Sequence, residues 1–142
     1  MITEPDSEII AKVTTLEEAA FGRGGLNEWH LPVIARHGRL FILLEGERVV
    51  GAASLIKDWS AKTAYLFDFV VDSGVRGKGC GRLFLEEVID SLRVEGVSTV
   101  ELSVAPDNQR AIDLYESLGF EKKRMLVSEY GEGQDRWLME TR

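Results

Sequence analysis

The segment from residue 62 to residue 104 limits the fold of this chain more than any other part. A β-type run, Lys62–Val71, precedes a glycine-dense turn and an amphipathic helix, and the alternating run Val97–Val104 follows. A strand–helix–strand order of this kind, next to antiparallel strands, indicates a mixed sheet. The face of that helix predicted to point inward is apolar and comprises Phe84, Leu85, Val88, Ile89 and Leu92.

The remaining elements predict antiparallel strands and further helices around this unit. Helical patterns cover Ser7–Phe21, Asn27–Arg36 and Asn108–Leu118, and β-type runs cover Arg39–Leu44, Arg48–Lys57, Lys123–Glu129 and Arg136–Glu140. The first helix is expected to turn inward Ile9, Ile10, Val13, Leu16 and Ala20. This order predicts an α+β fold with a mixed, mostly antiparallel sheet flanked by helices. Because no linker divides the chain, we expect residues 1–142 to form a single domain.

Composition and charge exclude several classes of protein. The chain has 142 residues, of which 44% are hydrophobic and 29% are charged, as in ordinary globular domains. The net charge of −7 argues against general nucleic-acid binding, and no apolar stretch approaches the ~20 residues that cross a membrane. The single cysteine, Cys80, rules out an internal disulfide, and the N-terminus lacks the pattern of a signal peptide. We therefore expect a cytoplasmic protein without nucleic-acid or membrane partners.

The turn between the strand and the helix has glycine at positions 74, 77, 79 and 81. Backbone N–H groups at such a helix N-terminus favour an anion, and pyrophosphate is the commonest candidate. A Walker loop is excluded because Lys78 is followed by Gly79 instead of serine or threonine. The dinucleotide fingerprint is excluded because Arg82 stands where that motif needs glycine. The alternative is a glycine-rich connection that binds no ligand.

Two short blocks of sequence carry a recognisable pattern. Residues 76–81, Arg-Gly-Lys-Gly-Cys-Gly, follow a strand that ends at residues 69–71, Phe-Val-Val. Residues 108–120 read Asn-Gln-Arg-Ala-Ile-Asp-Leu-Tyr-Glu-Ser-Leu-Gly-Phe. The first block resembles the acyl-CoA loop of the GNAT N-acetyltransferase superfamily, Gln/Arg-x-x-Gly-x-Gly/Ala, and the second resembles that family's next block, above all in the ribosomal-protein N-terminal acetyltransferases. The resemblance implies a GNAT-like sheet, acetyl-CoA as cosubstrate without a metal, and acetyl transfer to a primary amine by direct attack on the thioester.

In that family, the loop and the strand before it hold coenzyme A. The resemblance implies that the strand's backbone pairs with the pantetheine arm and that the loop amides hold the pyrophosphate. The implied cofactor-binding residues are Phe69, Val70, Val71, Arg76, Gly77, Lys78, Gly79, Cys80, Gly81, Arg82 and Asn108. Because Cys80 stands at a position that is usually aliphatic in the family, we interpret it as a small packed hydrophobe and not as a nucleophile.

Tyr115 is the predicted general acid. It lies about two helical turns after Asn108 and therefore shares its helix face, and a phenol can supply the proton that a departing thiolate needs. The alternative is that Tyr115 only packs in the core. In the ribosomal-protein enzymes the general base is a glutamate, and the matching residue here, Ser103, cannot do this work. Glu101 or Asp68 could act as base through water, or each could be an ordinary solvated or paired carboxylate.

The acceptor is expected to be a small-molecule or peptide amine. In the family, the early helices and the last hairpin select it, which implies Trp29, Glu129 and Tyr130 as substrate residues here. A peptide α-amine, a lysine side chain and a small polyamine or amino acid all stay open, as does a homodimer. Two other interpretations are an acyl-CoA-binding module without turnover, because the base glutamate is missing, and a structural domain that does not bind coenzyme A.

Overall fold

The sheet and its helices are those of the α+β class that the sequence predicts. The computed structural model describes residues 1–58 and 61–141. Its strands are β1 Arg39–Glu45, β2 Arg48–Lys57, β3 Thr63–Val71, β4 Thr99–Val104, β5 Glu121–Leu126 and β6 Arg136–Thr141. Its helices are α1 Ser7–Phe21, α2 Leu31–His37, α3 Cys80–Val94 and α4 Gln109–Ser117, with short 3-10 turns at Gly22–Gly24 and Ser73–Val75. The strands form one sheet in the order β1-β2-β3-β4-β6-β5.

Among the described strands, β3 and β4 form the parallel pair and the other neighbours are antiparallel. Helix α3 connects these two strands, as the strand–helix–strand pattern predicts. Their ladder runs from Thr63 and Thr99 to Tyr65 and Glu101 and ends there. Beyond this point β3 still pairs with β2 but no longer with β4. The edge of residues 66–71 that faces β4 therefore has backbone groups outside the ladder.

A bulge in β3 reverses the direction of its side chains. Two consecutive residues of β2, Ser54 and Leu55, pair with Asp68 and Leu66, so the residue between the latter two is extra. Leu66 and Phe69 both pack on the α3 side of the sheet. Because the bulge interrupts the alternation, Asp68 points to the opposite side, toward α1.

Two apolar clusters lie on the two faces of the sheet. The larger lies beneath α3 and α4, and its most buried members include Leu55, Leu85, Leu92, Leu102, Ile112 and Met139. The smaller lies beneath α1 and α2 and includes Val13, Leu31, Leu40 and Ala52. The predicted inward face of α3 is buried in the larger cluster, as its helical spacing indicates. Within the described ranges, no helix combines the length and apolar character needed to cross a membrane.

The second helix begins later than its sequence pattern predicts. It starts at Leu31 and not at Asn27, and the preceding residues form a turn. The side chain of Asn27 accepts a hydrogen bond from the N–H of Trp29, which stabilises a turn in place of a helix. Pro32 then lies in the first helical turn, where its missing N–H costs nothing.

The inward face of α1 also differs from the prediction at its C-terminal end. Ala20 is exposed, whereas Glu17 is completely buried. The strand ends differ by a few residues, since β4 begins at Thr99 and β5 covers Glu121–Leu126. The carboxyl group of Glu17 faces the interior, where it interacts with that of Asp68 from β3.

Candidate active site

A cleft of about 430 Å³ lies between the C-terminal part of β3, the glycine loop and α4. Its lining comprises Phe21, Phe69, Val70, Val71, Arg76, Gly77, Gly79, Gly81, Arg82, Asn108, Arg110, Ala111, Leu114 and Tyr115. The tertiary structure thus brings together Tyr115 and all the predicted cofactor-binding residues except Lys78 and Cys80. Phe21, Arg110, Ala111 and Leu114 were not predicted. The helix face shared with Asn108 and Tyr115 is the signal that could have identified Ala111.

The glycine loop leaves the N-terminus of α3 open toward this cleft. Gly77 and Gly79 have φ angles of 80° and 77°, the left-handed region that favours glycine. A Cβ at either position would meet nothing within 4 Å. Gly79 is the N-cap of α3 and provides no side-chain hydrogen bond, so the first N–H groups of the helix are available to a ligand. An anion fits such a terminus.

Three arginines surround the cleft, although the chain as a whole carries a net charge of −7. The Nε of Arg76 donates to the carbonyl of Val71 at 3.0 Å and ties the loop to the end of β3. Arg82 contacts the carboxylate of Glu86 at 3.2 Å, one helical turn along α3. Arg110 lies at the start of α4 and is exposed. A local excess of positive charge beside an open helix N-terminus favours a phosphate-bearing ligand.

Tyr115 packs against the apolar cluster beneath α4, with its ring 5.7 Å from that of Phe120. Burial, followed by the charge of Asp68, raises the pKa of the phenol to about 12. The hydroxyl is therefore protonated throughout the physiological range and can act only as a proton donor or a hydrogen-bonding group. Tyr115 therefore packs in the core and also lines the cleft.

Asn108 serves as the N-cap of α4. Its side-chain oxygen accepts a hydrogen bond from the N–H of Ala111 at 3.2 Å, so α4 begins at Gln109. Asn108 lines the cleft together with Tyr115. Its carbonyl oxygen accepts one hydrogen bond in the cap, and its amide nitrogen is a donor that could meet a ligand.

The Asp68 carboxyl group interacts in the interior with that of Glu17 from α1. Burial and the interaction with Asp68 raise the pKa of Glu17 to about 9, and a hydrogen bond from the N–H of Leu26 opposes this rise. Burial also raises the pKa of Asp68, whereas Glu17 lowers it. In residues 1–58 and 61–141, no group of three or more His, Cys, Asp or Glu side chains could hold a metal ion.

Tyr65 and Ser103 join β3 to β4 just beyond the end of their ladder. The two hydroxyl oxygens lie 2.7 Å apart. Burial raises the pKa of Tyr65, the bond to Ser103 lowers it, and Tyr130 and Glu129 from the loop before β6 raise it. Two predicted substrate residues therefore lie near Tyr65 and Ser103. Tyr65 was not predicted, because its place opposite Glu101 depends on a parallel register between strands that are distant in the sequence.

Glu101 lies beside other carboxylates. Burial raises its pKa, and Glu140 and Asp58 raise it further, while Arg124 lowers it. It pairs with Glu140 across β4 and β6 and is absent from the cleft lining. The predicted substrate residue Trp29 is 81% exposed and does not line the cleft either. Asp68 is absent from the lining as well, but the charge of Asp68, and not that of Glu101, acts on Tyr115.

Comparisons with known sequences agree with this geometry. The sequence profile of the Acetyltransferase (GNAT) family matches residues 8–120. Over 71 residues, the chain is 42% identical to the ribosomal-protein bS18-alanine N-acetyltransferase of Salmonella typhimurium, an alignment that covers 50% of this chain and 48% of that protein. Over 76 residues, it is 38% identical to the mycothiol acetyltransferase of Beutenbergia cavernae, which covers 54% of this chain and 26% of that protein. The chain thus spans half or less of the length of these curated relatives.

Solved structures extend the likeness to almost the whole chain. The crystal structure of the ribosomal-protein-S18-alanine N-acetyltransferase from Escherichia coli has a TM-score of 0.79 and 26% identity, over 99% of this chain and 92% of that one. Ard1 from Thermoplasma volcanium has a TM-score of 0.84 at 22% identity, over 99% and 95% of the two chains, which demonstrates a common fold. With its sheet, its glycine loop and the profile match over residues 8–120, the chain belongs to the GNAT acetyltransferase family.

Proposed function

We propose that residues 1–142 act as one domain that transfers an acetyl group from acetyl-CoA to a primary amine, either a peptide α-amine or a small amine. One observation carries this proposal: a single cleft combines an open helix N-terminus, an unpaired strand edge and a protonated tyrosine. These groups suit, respectively, a pyrophosphate, an amide-bearing arm and a leaving thiolate. The acetyltransferase names of the similar proteins support the same reaction.

Coenzyme A fits the residues on one side of the cleft. Its pyrophosphate would accept hydrogen bonds from the amides of residues 77–82, because the left-handed glycines leave open space there. Arg76, Arg82 and Arg110 would add positive charge around it. The pantetheine amides would pair with the edge of β3 that β4 leaves free, as an added strand would. Coenzyme A supplies the activated thioester.

In the proposed reaction the amine nitrogen attacks the thioester carbonyl, a C–N bond forms and the C–S bond breaks. Tyr115 gives its phenolic proton to the sulfur, and Asp68 receives the proton of the amine, directly or through water. Because the Asp68 charge raises the pKa of Tyr115, protonation of Asp68 makes the phenol a stronger acid as the thiolate leaves. The proton then returns from Asp68 to Tyr115 through solvent, so the net products are one amide and one thiol.

The acceptor would enter on the side of Tyr65, Ser103, Tyr130 and Glu129. The hydroxyl pair of Tyr65 and Ser103 offers hydrogen bonds, and Glu129 offers a carboxylate that attracts an ammonium group. Tyr130 is 61% exposed and stacks with Arg136, whose guanidinium lies 5.2 Å from its ring. Such a surface suits an acceptor molecule that has other polar groups besides its amine. We expect the reaction to take place in the cytoplasm, with a homodimer as one possible form.

The experiment combines calorimetry with an amine panel. Acetyl-CoA is titrated into the protein, and release of free thiol is then followed with an alanine-initiated peptide, a lysine derivative and spermidine. The proposal expects binding and thiol release with at least one amine. Arg110→Glu reverses one of the positive charges around the cleft and should therefore weaken acetyl-CoA binding. It leaves Tyr115 and Asp68 unaltered.

A second candidate function is an acyl-CoA-binding module without turnover. Ser103 favours it, because a hydroxyl stands where the related ribosomal-protein enzymes have a carboxylate. A binding module of this kind should bind acetyl-CoA and release no thiol with any amine of the panel. Absence of acetyl-CoA binding by a folded protein would contradict both candidates.

A further inference from the structure

Three buried polar atoms beneath α1 have no hydrogen-bond partner within the described part of the chain. They are Oε1 of Glu17, Oγ of Ser54 and Oδ2 of Asp68. Glu17 and Ser54 are both 0% exposed. Few polar atoms in native interiors lack a hydrogen-bond partner, because an unpaired buried atom has lost its hydrogen bonds to water without gaining any in the protein. Three such atoms in one cluster therefore call for an explanation.

The fold brings these three side chains together from separate elements. Ser54 and Asp68 are directly opposite each other in the ladder between β2 and β3, and the bulge turns Asp68 toward α1. Glu17 reaches the same place from the second half of α1. Its other oxygen, Oε2, accepts a hydrogen bond from the N–H of Leu26 at 3.4 Å. Glu17 is thus held between the segment after α1 and the carboxyl group of Asp68.

Two interacting carboxyl groups in this environment cannot both carry a charge. Desolvation disfavours both charges, and repulsion between them adds to the cost. Burial, together with the hydrogen bond and the charge of Asp68, raises the pKa of Glu17 to about 9. Burial also raises the pKa of Asp68, and the hydrogen bond with Glu17 opposes that rise. Within the pair, the hydrogen bond therefore favours the proton on Glu17 and the charge on Asp68. The titratable groups that act on Asp68 are Glu17 from α1 and Tyr115 from α4, while Ser54 from β2 is uncharged.

We propose that Glu17 is a positioning residue for acetyl transfer, which donates its proton in a hydrogen bond to Asp68 and so holds that carboxylate ionised beside the gap between β3 and β4. The proposal rests on the proposed function, in which Asp68 receives the proton of the amine. Oε1 of Glu17 and Oδ2 of Asp68, the unpaired oxygens, are the atoms that this proton would join. Without the donor, Asp68 would be a buried carboxylate that itself takes up a proton and could no longer accept one from the amine.

The alternative role for Glu17 is purely structural, as an acceptor for the N–H of Leu26. Glutamine at this position keeps an acceptor for Leu26 and an N–H donor for Asp68. Methionine has a similar length but can neither donate to Asp68 nor accept from Leu26. Glu18, the next residue of α1, is exposed, so Glu18→Met is a matched control with the same change of side chain.

The first measurement is a carbon-13 NMR titration of the carboxyl groups, which requires no acetyl transfer. The midpoint of Asp68 should rise by roughly one to two pH units in Glu17→Met, the size of a lost hydrogen bond to a charged group. It should stay near the wild-type value in Glu17→Gln and in Glu18→Met. An unchanged Asp68 midpoint in folded Glu17→Met would overturn the proposal.

A second measurement, made on the wild-type protein, tests the proposal even if Glu17→Met does not fold. In the wild-type protein, the Asp68 carbon should show an additional inflection where Glu17 loses its proton, in the alkaline range near its pKa of about 9. That inflection should be absent in Glu17→Gln. If the wild-type titration lacks this inflection, the two carboxyl groups do not share a proton and the proposal is wrong.

Kinetics then connect the pair to the reaction. The acid limb of kcat/KM should move to higher pH in Glu17→Met by the same amount as the Asp68 midpoint, and Glu17→Gln should restore it. A uniform loss of rate at all pH values would indicate a structural role only. If the wild-type protein acetylates no amine while the two titrations are linked, the proposed function fails and the proton-sharing pair stands.

Discussion

The carboxylate of Asp68 lies close enough to the phenol of Tyr115 for its charge to act on the phenol's ionisation. Together with burial, that charge raises the pKa of Tyr115 to about 12. Asp68 comes from β3 and Tyr115 from α4, and they meet where the ladder between β3 and β4 has ended. In the proposed function, Asp68 would accept a proton and Tyr115 would donate one on either side of the gap between β3 and β4.

Tyr115→Phe removes the proton donor and leaves the ring that packs on Phe120. We expect turnover to fall by roughly 10²-fold, the usual size of a lost proton-transfer group, with acetyl-CoA affinity little changed. Steady-state kinetics and calorimetry check this expectation. Near-normal turnover of Tyr115→Phe would mean that this residue only packs.

Asp68→Asn removes the charge beside Tyr115. Because that charge raises the pKa of the phenol, the pKa should fall below about 12 in the variant. An ultraviolet titration of tyrosinate, with Tyr115→Phe subtracted as the reference, measures the change. A Tyr115 titration identical to that of the wild-type protein would show that the two groups do not interact. Turnover should also fall, most strongly with strongly basic amines, whose ammonium form must lose a proton before attack.

Glu17→Gln should make the stability of the protein less dependent on pH. The pKa of Glu17 is raised from its ordinary value of 4.5 to about 9, so between these values the folded protein binds a proton that the unfolded chain has released. Its contribution to stability is fully present below about pH 4.5 and is lost as pH rises toward 9. Urea denaturation at several pH values should show a smaller decline in Glu17→Gln than in the wild-type protein. Equal declines would contradict the raised pKa.

Gly79→Ala and Gly81→Ala should differ, although both residues line the cleft. Gly79 has a φ angle of 77°, so alanine should cost roughly 1–2 kcal/mol of stability and disturb the start of α3. At Gly81 a Cβ would meet Cγ2 of Val71 at 3.5 Å and Cζ of Phe69 at 4.0 Å, which are ordinary contacts. Denaturation should therefore find Gly81→Ala near wild type. Calorimetry should find weaker acetyl-CoA binding in Gly79→Ala, and equal stability and affinity of the two variants would refute this expectation.

Ser103→Glu places a carboxylate at the position where the resemblance to the ribosomal-protein N-terminal acetyltransferases implies a base. The hydroxyl of Tyr65, now 2.7 Å from that of Ser103, could donate to the new carboxylate. The rate at low pH should rise or at least be retained, provided that acetyl-CoA still binds. A folded Ser103→Glu protein that binds acetyl-CoA but transfers no acetyl group would show that the acceptor site differs in shape from that of the ribosomal-protein enzymes.

Periodicity and glycine placement were sufficient to predict most of the elements. The spacing of apolar residues predicted α1 with its observed limits, and the alternation in residues 97–104 separated Leu102 from Ser103 onto opposite faces of β4. The glycine loop was predicted at the N-terminus of α3, where it is found. Because these features depend on residues that are close together in the chain, local sequence patterns are sufficient to predict them.

Only the tertiary structure decided which side chains share the cleft. The sequence assigned Glu17 to no role, because a glutamate among apolar residues normally faces water, and its burial depends on meeting Asp68 across the bulge in β3. The bond between Tyr65 and Ser103 likewise depends on the parallel register of two strands that are distant in the chain. Local patterns determine elements through contacts within a few residues. The raised pKa values of Glu17, Asp68 and Tyr115 depend on side chains that distant segments bring together, and these shifts arise only once folding has removed the groups from water.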